Sequence, residues 1–552
     1  MPITSSSLRK RRFNDEDARL SGRSPPSRRS HGSALDSALR LLGSMALGGV
    51  ASLPHWSCAQ NLRTDCVNAT VVALRWEVPR GASRSAAYEV RRDGSVLGTT
   101  RDTAFVDTGV APSTTYTYSV ATVAGYRSEA VAPAATVRAS TPAAPAAGDA
   151  PYCPSRAIQS IEFNWNGYTE PNGSDLWSVT WGRDGKVYAF FGDGGGFGGD
   201  NDRGRASFGI ASLEGTAPVN PGGSSPVVPP ARHNVYGGFE AEHPSALSGK
   251  AGAIIAVGSD FYARAGIWNA AELGPDLAPM WGSPDREQIA YSRGNAHSWK
   301  VASWEFCSEE DRGRVADRKR FCPVAFVNYG RGNAGAPDRR VYLVGVSLAA
   351  WLGWDRATAA ESPAADSFLA RVKRGDVLDA NAYEYFAGLD ARGKPIWDRD
   401  AAHMRPIFSD RAPSRAGCDG VCPPMRMVLG EIVYDRAIRR YLGVAQGRFV
   451  GQTSFYDAPE PWGPWTVIAY NNVDPASGSG GWANLGTEAG VSLGVHIVNA
   501  WTSKDGLTLW LTYSSNGRAP HGALFPPEGT ALDSFNLVSA RLIPSARAAR
   551  AP

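Results

Sequence analysis

From about residue 155 onward the chain repeats one pattern, in which a short run of aromatic and aliphatic residues is followed by a turn of glycine, proline, asparagine or aspartate. Such runs are typical of β-strands, and such turns of the tight connections between them. Almost no stretch has a helical period. Roughly 390 residues divided into four-stranded sheets correspond to about five blades. We therefore predict an all-β fold in which residues 155–545 form a five-bladed β-propeller and residues 546–552 a short tail; two packed sandwiches are the alternative.

Two aspartates, Asp175 and Asp193, flank the first hairpin of this region. The strands LWSVTW and KVYAFF lie on either side of Asp184-Gly185, a strong hairpin signal. In such a hairpin, residues whose numbers add up to 368 or 369 face each other, so the two carboxylates are expected side by side, with Cβ atoms about 4.5 to 5.5 Å apart. Like charges at that distance hold one proton more tightly than water does. A carboxylic acid beside a carboxylate is the pair that glycoside hydrolysis uses.

The alternative is that both aspartates are ordinary turn residues whose side chains bind local backbone N–H groups. Their surroundings favour a site instead. Asp193 is followed by GGGFGG, where the backbone can approach a ligand closely because glycine has no side chain. Trp177 and Trp181 lie within a few residues of Asp175, and aromatic rings beside carboxylates suit a sugar cleft. Trp177 is therefore a predicted substrate contact.

Residues 1–59 are predicted to be a basic leader and signal peptide. Nine Lys or Arg and four acidic residues fall within residues 1–60, and the apolar run LLGSMALGGVASL precedes a small-residue cleavage site at Ser57-Cys58-Ala59. Because the whole chain has a net charge of only +4, the remainder is close to neutral and carries no electrostatic footprint for nucleic acid. The apolar run is too short to cross a membrane. We expect a monomeric protein that is secreted or held in the cell envelope, without an integral membrane span after cleavage.

Cleavage after Ala59 leaves six of the seven cysteines, an even number that suits disulfide bonds outside the cytoplasm. The candidate pairs are Cys66 with Cys153, Cys307 with Cys322, and Cys418 with Cys422. The last pair has C-x3-C spacing and no second pair at zinc spacing, which is a poor metal pattern. Neither a metal site nor a cofactor is predicted.

Residues 60–140 have period-two strands and regular turn signals, which predict a small β-sandwich. The segments YEVRRDGSVLGTT and FVDTGVAPSTTYTYSVATV resemble a fibronectin type III module in their spacing of Asp, Pro, Thr and paired Tyr. Such modules usually act as spacers or binding accessories. Residues 141–154 are rich in Pro and Ala and are predicted to be a semi-stiff linker that does not pack.

The propeller region resembles the DUF4185 family of exported proteins across nearly all of residues 160–540. The resemblance is carried by SDLWSVTW through FFGDGGGFGG, YEYFAGLDARGKPIWD, YDAPEPWGPWTVIAY and WTSKDGLTLWLTYS. It implies a five-bladed propeller related to furanosidase propellers. Some family members are endo-D-arabinanases, in which aspartates matching Asp175 and Asp193 are the proposed catalytic pair. The chain departs from the pattern at SRGNAHSW, which lacks the aspartate of an Asp-box turn.

These observations predict a glycoside hydrolase that acts on a furanoside-type, arabinan-like polysaccharide. One aspartate donates a proton to the glycosidic oxygen, and the other acts as nucleophile or as the base that activates water. Asp193 is the preferred ionised partner because glycine N–H groups follow it, whereas apolar Leu176 and Trp177 raise the proton affinity of Asp175. Direct opposition of the pair favours the short carboxylate separation of retaining enzymes.

Weaker candidates for substrate contacts are spread over the other blades. Each has a plain alternative: a solvated turn for the first two, pairing with an arginine for the next two, and packing between blades for the tryptophan. These candidates are Glu240, His243, Glu384, Glu431 and Trp465.

Two other function classes are open. A non-catalytic carbohydrate-binding or surface-recognition propeller would bind polysaccharide without releasing product. An exo-sialidase is suggested by turns similar to Asp-boxes, but the sequence has no recognisable nucleophilic Tyr/Glu arrangement or arginine triad.

Overall fold

The structure is a computed structural model of the 552-residue chain. It describes residues 59–69, 71–78, 87–107, 109–123, 134–143, 150–220, 225, 227–267, 286–308, 311, 320–353, 366–390, 393–410, 428–446, 453–470, 492–515 and 533–546. Residues 1–58 of the predicted leader, the tail beyond residue 546 and the Cys418–Cys422 pair lie outside these residues. Among the described helices, none is both long enough and apolar enough to cross a membrane.

The amino-terminal module is a sandwich of two antiparallel sheets, one with three strands and one with four. The order β1-β2-β5 against β4-β3-β6-β7 is that of a fibronectin type III fold, as the sequence predicts. Its strands are β1 (Gln60–Val67), β2 (Val72–Glu77), β3 (Ala87–Arg92), β4 (Ser95–Thr100), β5 (Ala104–Asp107), β6 (Thr115–Val123) and β7 (Ala135–Ser140).

The core of this module follows from period-two strands, since alternate side chains of β2, β3 and β6 point inward. Trp76 and Tyr88 pack edge to face, with ring centroids 5.3 Å apart. Asp107 is buried, and its carboxylate accepts hydrogen bonds from Tyr118 Oη at 2.7 Å and Arg92 Nη1 at 2.9 Å. These partners compensate the cost of burying the charge.

The module is linked to the propeller by a disulfide and by packing contacts, and not only by a flexible linker. Cys66 of β1 forms a disulfide with Cys153, with Cα atoms 5.9 Å apart. Tyr152 is buried, stacks on Phe408, and accepts a hydrogen bond from the Ser409 N–H at 2.8 Å. The prediction that residues 141–154 do not pack is therefore wrong at its carboxyl end, where an aromatic ring and a disulfide enter the core.

The described strands that follow form five blades, each antiparallel within itself, and a parallel strand pair joins the third and fourth blades into one ten-stranded sheet. A long strand, β8 (Ile158–Pro171), comes first in the chain. The first blade contains β9 (Asp175–Trp181), β10 (Val187–Gly192), β11 (Gly209–Leu213) and β12 (Arg232–Tyr236). The second contains β13 (Gly249–Val257), β14 (Asp260–Ile267), β15 (Arg286–Ser292), β16 (Lys300–Val301) and β17 (Cys307–Ser308).

The third blade is the largest, and the helix α1 lies between its second and third strands. It contains β18 (Phe321–Asn328), β19 (Arg340–Ser347), α1 (Leu348–Gly353), β20 (Asp366–Lys373), β21 (Glu384–Leu389), β22 (Pro395–Asp398) and β23 (Phe408–Ser409). The fourth contains β24 (Val428–Asp435), β25 (Arg440–Gln446), β26 (Thr453–Ala458) and β27 (Thr466–Ala469). The fifth contains β28 (Ser492–Ile497), β29 (Thr508–Ser515) and β30 (Ser534–Pro544). Short 3-10 turns occur at Arg331–Asn333, Ala380–Ala382, Ala401–His403 and Asn499–Trp501.

The ring of blades is closed by pairing the two ends of the propeller region. Strand β8 joins the fifth blade as the neighbour of β30, with Ser539 opposite Asn164 and Phe535 opposite Glu170. The inner strands β9, β13, β18, β24 and β28 then lie against one another in sequence, and β28 returns to β9. Closure protects the sheet edges that an open array would expose.

A second disulfide joins neighbouring blades. Cys307 of β17 and Cys322 of β18 have Cα atoms 5.7 Å apart. The predicted pairing is confirmed, and it links the second blade to the third rather than stapling one hairpin.

Candidate active site

The predicted hairpin of the first blade is present, but its open end contains a bulge. Strands β9 and β10 pair antiparallel around the turn at Asp184-Gly185, with Val187 opposite Trp181. The register shifts between Phe190 and Gly192, so that Asp175 faces Gly192 instead of Asp193. The expectation of directly opposed aspartates is therefore wrong by one residue, because a β-bulge places an extra residue in one strand.

The backbone at this end of the hairpin is strained. Leu176, Trp177 and Asp193 all have positive φ angles, of 74°, 45° and 66°. Non-glycine residues seldom adopt this left-handed conformation, and they persist in it where surrounding packing holds them. The bulge and these three residues turn both aspartate side chains toward the start of the second blade.

A lysine joins the two aspartates. Lys250 of β13 contacts the Asp193 carboxylate directly, and its Nζ lies 3.5 Å from Asp175 Oδ2. The second carboxylate oxygen, Oδ1, of each aspartate is buried and has no hydrogen-bond partner among the described residues. The carboxylates therefore converge on one cation, and each keeps one oxygen uncommitted. The sequence analysis missed Lys250, whose signal was a lone lysine at the head of the apolar strand AGAIIAV.

Burial controls the protonation of Asp175. Its side chain is only 9% exposed, and burial raises the pKa of its carboxyl group above the ordinary value, while the charge of Lys250 opposes this effect. An ionised carboxylate loses its hydration in such a place, which favours the neutral acid. A raised pKa keeps the carboxyl group protonated to higher pH, as a proton donor requires.

A third carboxyl group belongs to the same cluster. Asp533 directly precedes β30 in the fifth blade, and its backbone carbonyl accepts a hydrogen bond from the Gly173 N–H at 3.2 Å. Burial and, after it, the negative charge of Asp175 raise the pKa of Asp533 to about 6, against weaker effects of Lys250 and Arg205. The sequence analysis missed Asp533, although an aspartate just before a strand is the same signal that marked Asp175.

The N–H groups of the glycine-rich segment after Asp193 serve the fold rather than the Asp193 carboxylate. The N–H groups of Gly195, Gly196 and Gly198 donate to the Asn172 carbonyl, Ser174 Oγ and Glu170 Oε1. The expected stabilisation of Asp193 by glycine N–H groups is thus replaced by its contact with Lys250.

Two predicted aromatic contacts are buried. Trp177 is 0% exposed, donates from Nε1 to the Ser174 carbonyl at 3.1 Å, and packs against Phe191, Phe197 and Phe535. Trp465 is 1% exposed and lies against Gly443. Neither ring can stack on a sugar in this structure, so both predictions of substrate contact are corrected to packing roles.

The remaining predicted residues lie elsewhere. Glu240 lines a groove of about 440 Å³ on the first blade, beside Phe197 and Arg232. His243 lies on the rim between the first two blades, next to Glu242 and His297. None of the contacts found for these residues involves the aspartate pair.

Two glutamates of the third and fourth blades are held by basic partners. Glu384 accepts from Arg371 Nε at 2.8 Å and pairs with Arg340 at 2.9 Å. Glu431 is buried and its Oε2 lies 2.8 Å from His496 Nδ1. Burial raises the pKa of Glu431, and the hydrogen bond from His496 opposes the rise.

No family model matches the chain. The chain is 31% identical over 119 residues to exoglucanase B of Cellulomonas fimi, a match that covers 20% of this chain and 11% of that protein; the chain therefore spans only about a tenth of that relative's length. Among solved structures it is similar to CoXyl43, a beta-xylosidase/alpha-arabinofuranosidase from a compost microbial metagenome, with 14% identity, a TM-score of 0.32, and coverage of 70% of this chain and 94% of that one. It is also similar to the sixth fibronectin type III domain of a human protein, with 18% identity, a TM-score of 0.16, and coverage of 18% and 100%.

Proposed function

We propose that this protein is an exported glycoside hydrolase that cleaves a furanoside-type, arabinan-like polysaccharide. The observation that carries the proposal is the convergence of Asp175 and Asp193 on Lys250, with one buried, unpartnered oxygen on each carboxylate. The arabinan-like substrate rests on the resemblance of the propeller motifs to the DUF4185 family.

The two aspartates have different environments, which suits different roles. Asp175 is the more buried, and burial raises the pKa of its carboxyl group, so it is assigned as the acid that protonates the glycosidic oxygen. Asp193 is in direct contact with Lys250 and is more exposed, at 16%, so it is assigned as the ionised nucleophile or base. Asp533 belongs to the same cluster, where burial and, after it, the negative charge of Asp175 raise its pKa to about 6.

The bulge removes the direct opposition on which the expectation of a retaining enzyme rested. Carboxylate separation decides whether a water molecule fits between the acid and the base. The anomeric configuration of the first product, followed by NMR, is therefore the measurement that assigns Asp193 as nucleophile or as base.

One observation favours the non-catalytic alternative. An aspartate pair that shares a lysine is also a stable structural ion pair, and Lys250 contacts both members here. A carbohydrate-binding propeller is consistent with that arrangement. In this case polysaccharide would bind to the protein without cleavage.

Hydrolysis is tested by incubating the purified protein with arabinans, other furanosides and bacterial wall polysaccharides and measuring new reducing ends. Asp175→Asn and Asp193→Asn are each expected to lower turnover by about 10²- to 10⁴-fold, because each removes a proton-transfer or charged group at the reacting bond. The matched control is Asp505→Asn, an exposed turn aspartate that bonds to Ser503 and Leu507. It should keep wild-type turnover.

Circular dichroism and melting temperatures show whether each variant is folded. Full activity in folded Asp175→Asn or Asp193→Asn would remove the pair from the mechanism. Binding of polysaccharide by calorimetry without product release, unchanged in Asp193→Asn, would establish the binding propeller instead.

A further inference from the structure

Three of the chain's eight histidines meet on the rim between the first and second blades. Together with Glu242 they form a group, here called the histidine cluster, that consists of His233, Glu242, His243 and His297. His233 Nε2 lies 2.8 Å from Glu242 Oε1, and His297 Nε2 lies 3.4 Å from Glu242 Oε2. The rings of His243 and His297 have centroids 4.7 Å apart and are inclined by 30°.

Backbone hydrogen bonds hold the first-blade members in place. The segment with Glu242 and His243 runs parallel to β12, where the Glu242 N–H donates to the Asn234 carbonyl at 3.2 Å and the His243 N–H to the Val235 carbonyl at 3.1 Å. His233 belongs to β12 itself. These three side chains are therefore presented by the edge of one sheet.

The fourth member comes from the second blade. His297 follows β15, and its N–H donates to Asn295 Oδ1 at 3.0 Å. The neighbouring Ala296 and Trp299 are buried in the core that the first two blades share. The loop that carries His297 is thus held by buried residues on both sides of the histidine, and His297 contacts the first-blade residues where the two blades meet.

We propose that the histidine cluster binds a divalent transition metal of the Zn²⁺ class, with Glu242, His243 and His297 as its ligands. Each of these residues offers one ligand atom, and the three atoms lie within 4.8 Å of one another. Imidazole nitrogen and carboxylate oxygen are the donors that Zn²⁺ takes at about 2.0 to 2.2 Å, so short side-chain rotations bring the three to one ion. Imidazole ligands select against Ca²⁺ and Mg²⁺, which take oxygen.

The charge and exposure of the cluster suit an ion. Among the described residues, the basic partners of Glu242 are two histidines, which carry charge only when protonated, and no Lys or Arg. The side chains of Glu242 and His297 are 44% and 40% exposed. Solvent can therefore deliver the metal and supply water for the positions that the protein leaves open.

His233 has a different part in this site. Its Nε2 bonds to Glu242 Oε1, which fixes the carboxylate so that the other oxygen faces His297. It is therefore a positioning residue. Partners of this kind orient a metal ligand, and their loss lowers metal affinity by about 10- to 100-fold.

The test uses the full chain without a polyhistidine tag, after removal of metals with a chelator. Calorimetric titration with Zn²⁺ alone is expected to give one site per chain, and the melting temperature should rise because the ion binds only the folded arrangement. His243→Ala and His297→Ala should each weaken this site by more than about 100-fold. The matched control is His403→Ala, which removes an exposed histidine that pairs with Asp398 at 2.7 Å elsewhere on the surface. It should bind Zn²⁺ like the wild type.

A spectroscopic measurement identifies the ligands independently of affinity. Cu²⁺ bound to the wild type should show electron paramagnetic coupling to two imidazole nitrogens, and only to one in His297→Ala. His233→Ala should lower Zn²⁺ affinity about 10-fold, and His233→Gln, which keeps a donor for Glu242, should restore most of it. Absence of Zn²⁺ binding in the wild type, or equal binding in a folded His243→Ala/His297→Ala double variant, would overturn the proposal. None of these measurements depends on hydrolysis.

Discussion

Asp175 and Asp533 show how the setting of a single carboxyl group decides its chemistry. Both groups have a raised pKa because burial disfavours the charged form, and the charge of Asp175 adds to the effect at Asp533. Asp505 is the opposite case, since hydrogen bonds from Ser503 and the Leu507 N–H lower the pKa of its exposed carboxyl group. Aspartates with the same chemistry in the unfolded chain thus differ in the folded protein.

Asp533→Asn is expected to stabilise the protein at neutral pH. The pKa of Asp533 is about 6 in the folded protein, against 3.8 ordinarily, so the folded state binds its proton more tightly and stability falls as the pH rises from about 4 to 6. The cost above pH 6 has an upper limit of about 3 kcal/mol, because the carboxyl group is only partly buried. Asparagine removes this cost.

The melting temperature of Asp533→Asn should exceed that of the wild type at pH 7.5, and the difference should nearly vanish at pH 4. Asp505→Asn serves as the control with the opposite sign, because a lowered pKa stabilises the folded state at neutral pH. A lower melting temperature of Asp533→Asn at pH 7.5 would contradict the assignment of its raised pKa.

At the scale of elements, the start of β9 depends on how closely β28 approaches it. Gly494 of β28 has a φ of +58°, and a Cβ atom at this position would lie 2.1 Å from the Leu176 carbonyl oxygen. Leu176 is itself in a left-handed conformation next to Asp175. The absence of a side chain on one strand therefore makes room for the strained backbone of its neighbour.

Gly494→Ala is expected to displace the first residues of β9 and to lower both the free energy of unfolding and any hydrolytic activity. Gly258→Ala is the matched control, because Gly258 has a similar φ of +64° but, among the described residues other than its chain neighbours, no atom within 4 Å of the added Cβ. That control should cost about 1 to 2 kcal/mol for the left-handed conformation alone. Urea unfolding measures both variants. If Gly494→Ala and Gly258→Ala had equal free energies of unfolding, β28 and β9 would accommodate the added methyl group without cost, which would contradict this prediction.

At the scale of the whole molecule, covalent and hydrogen-bonded closures tie distant parts of the chain together. Strand β8 completes the blade of β30, and the Cys66–Cys153 disulfide fastens the amino-terminal module to the propeller. Residues of the module, such as Val71 and Ala73, share a core cluster with the propeller. The module is therefore part of the propeller's surface rather than a separate spacer.

Loss of the Cys66–Cys153 disulfide is expected to destabilise the protein more than loss of Cys307–Cys322. The two bonds close loops with sequence separations of 87 and 15 residues, and the chain-entropy relation gives about 4.6 and about 3 kcal/mol for loops of these lengths. Paired Cys→Ala variants at each bond, compared by chemical unfolding without reductant, measure the difference. A larger loss at Cys307–Cys322 would show that loop entropy does not govern these two bonds.

The strand pattern and turn residues were enough to predict the all-β class, the amino-terminal β-sandwich, the five blades and the hairpin around Asp184-Gly185, because these features depend on local periodicity and turn chemistry. The fibronectin type III assignment of the sandwich came from the resemblance of its motifs. Two of the three candidate disulfide pairs are present, although cysteine number and spacing left the connectivity open. The bulge before Asp193 was not predicted, since one inserted residue is a local irregularity that the strand pattern does not record.

What only the tertiary structure decided is which side chains meet. Lys250 and Asp533 join the aspartate pair from other blades, Trp177 turns inward although its sequence neighbours suggested a cleft, and His297 reaches His243 across a seam. These contacts join residues that are far apart in the chain. The sequence by itself therefore determined the strands and the pairing of neighbours, whereas the packing of blade against blade decided the composition of each site. The second blade supplies Lys250 and His297, and ring closure adds Asp533 from the fifth blade.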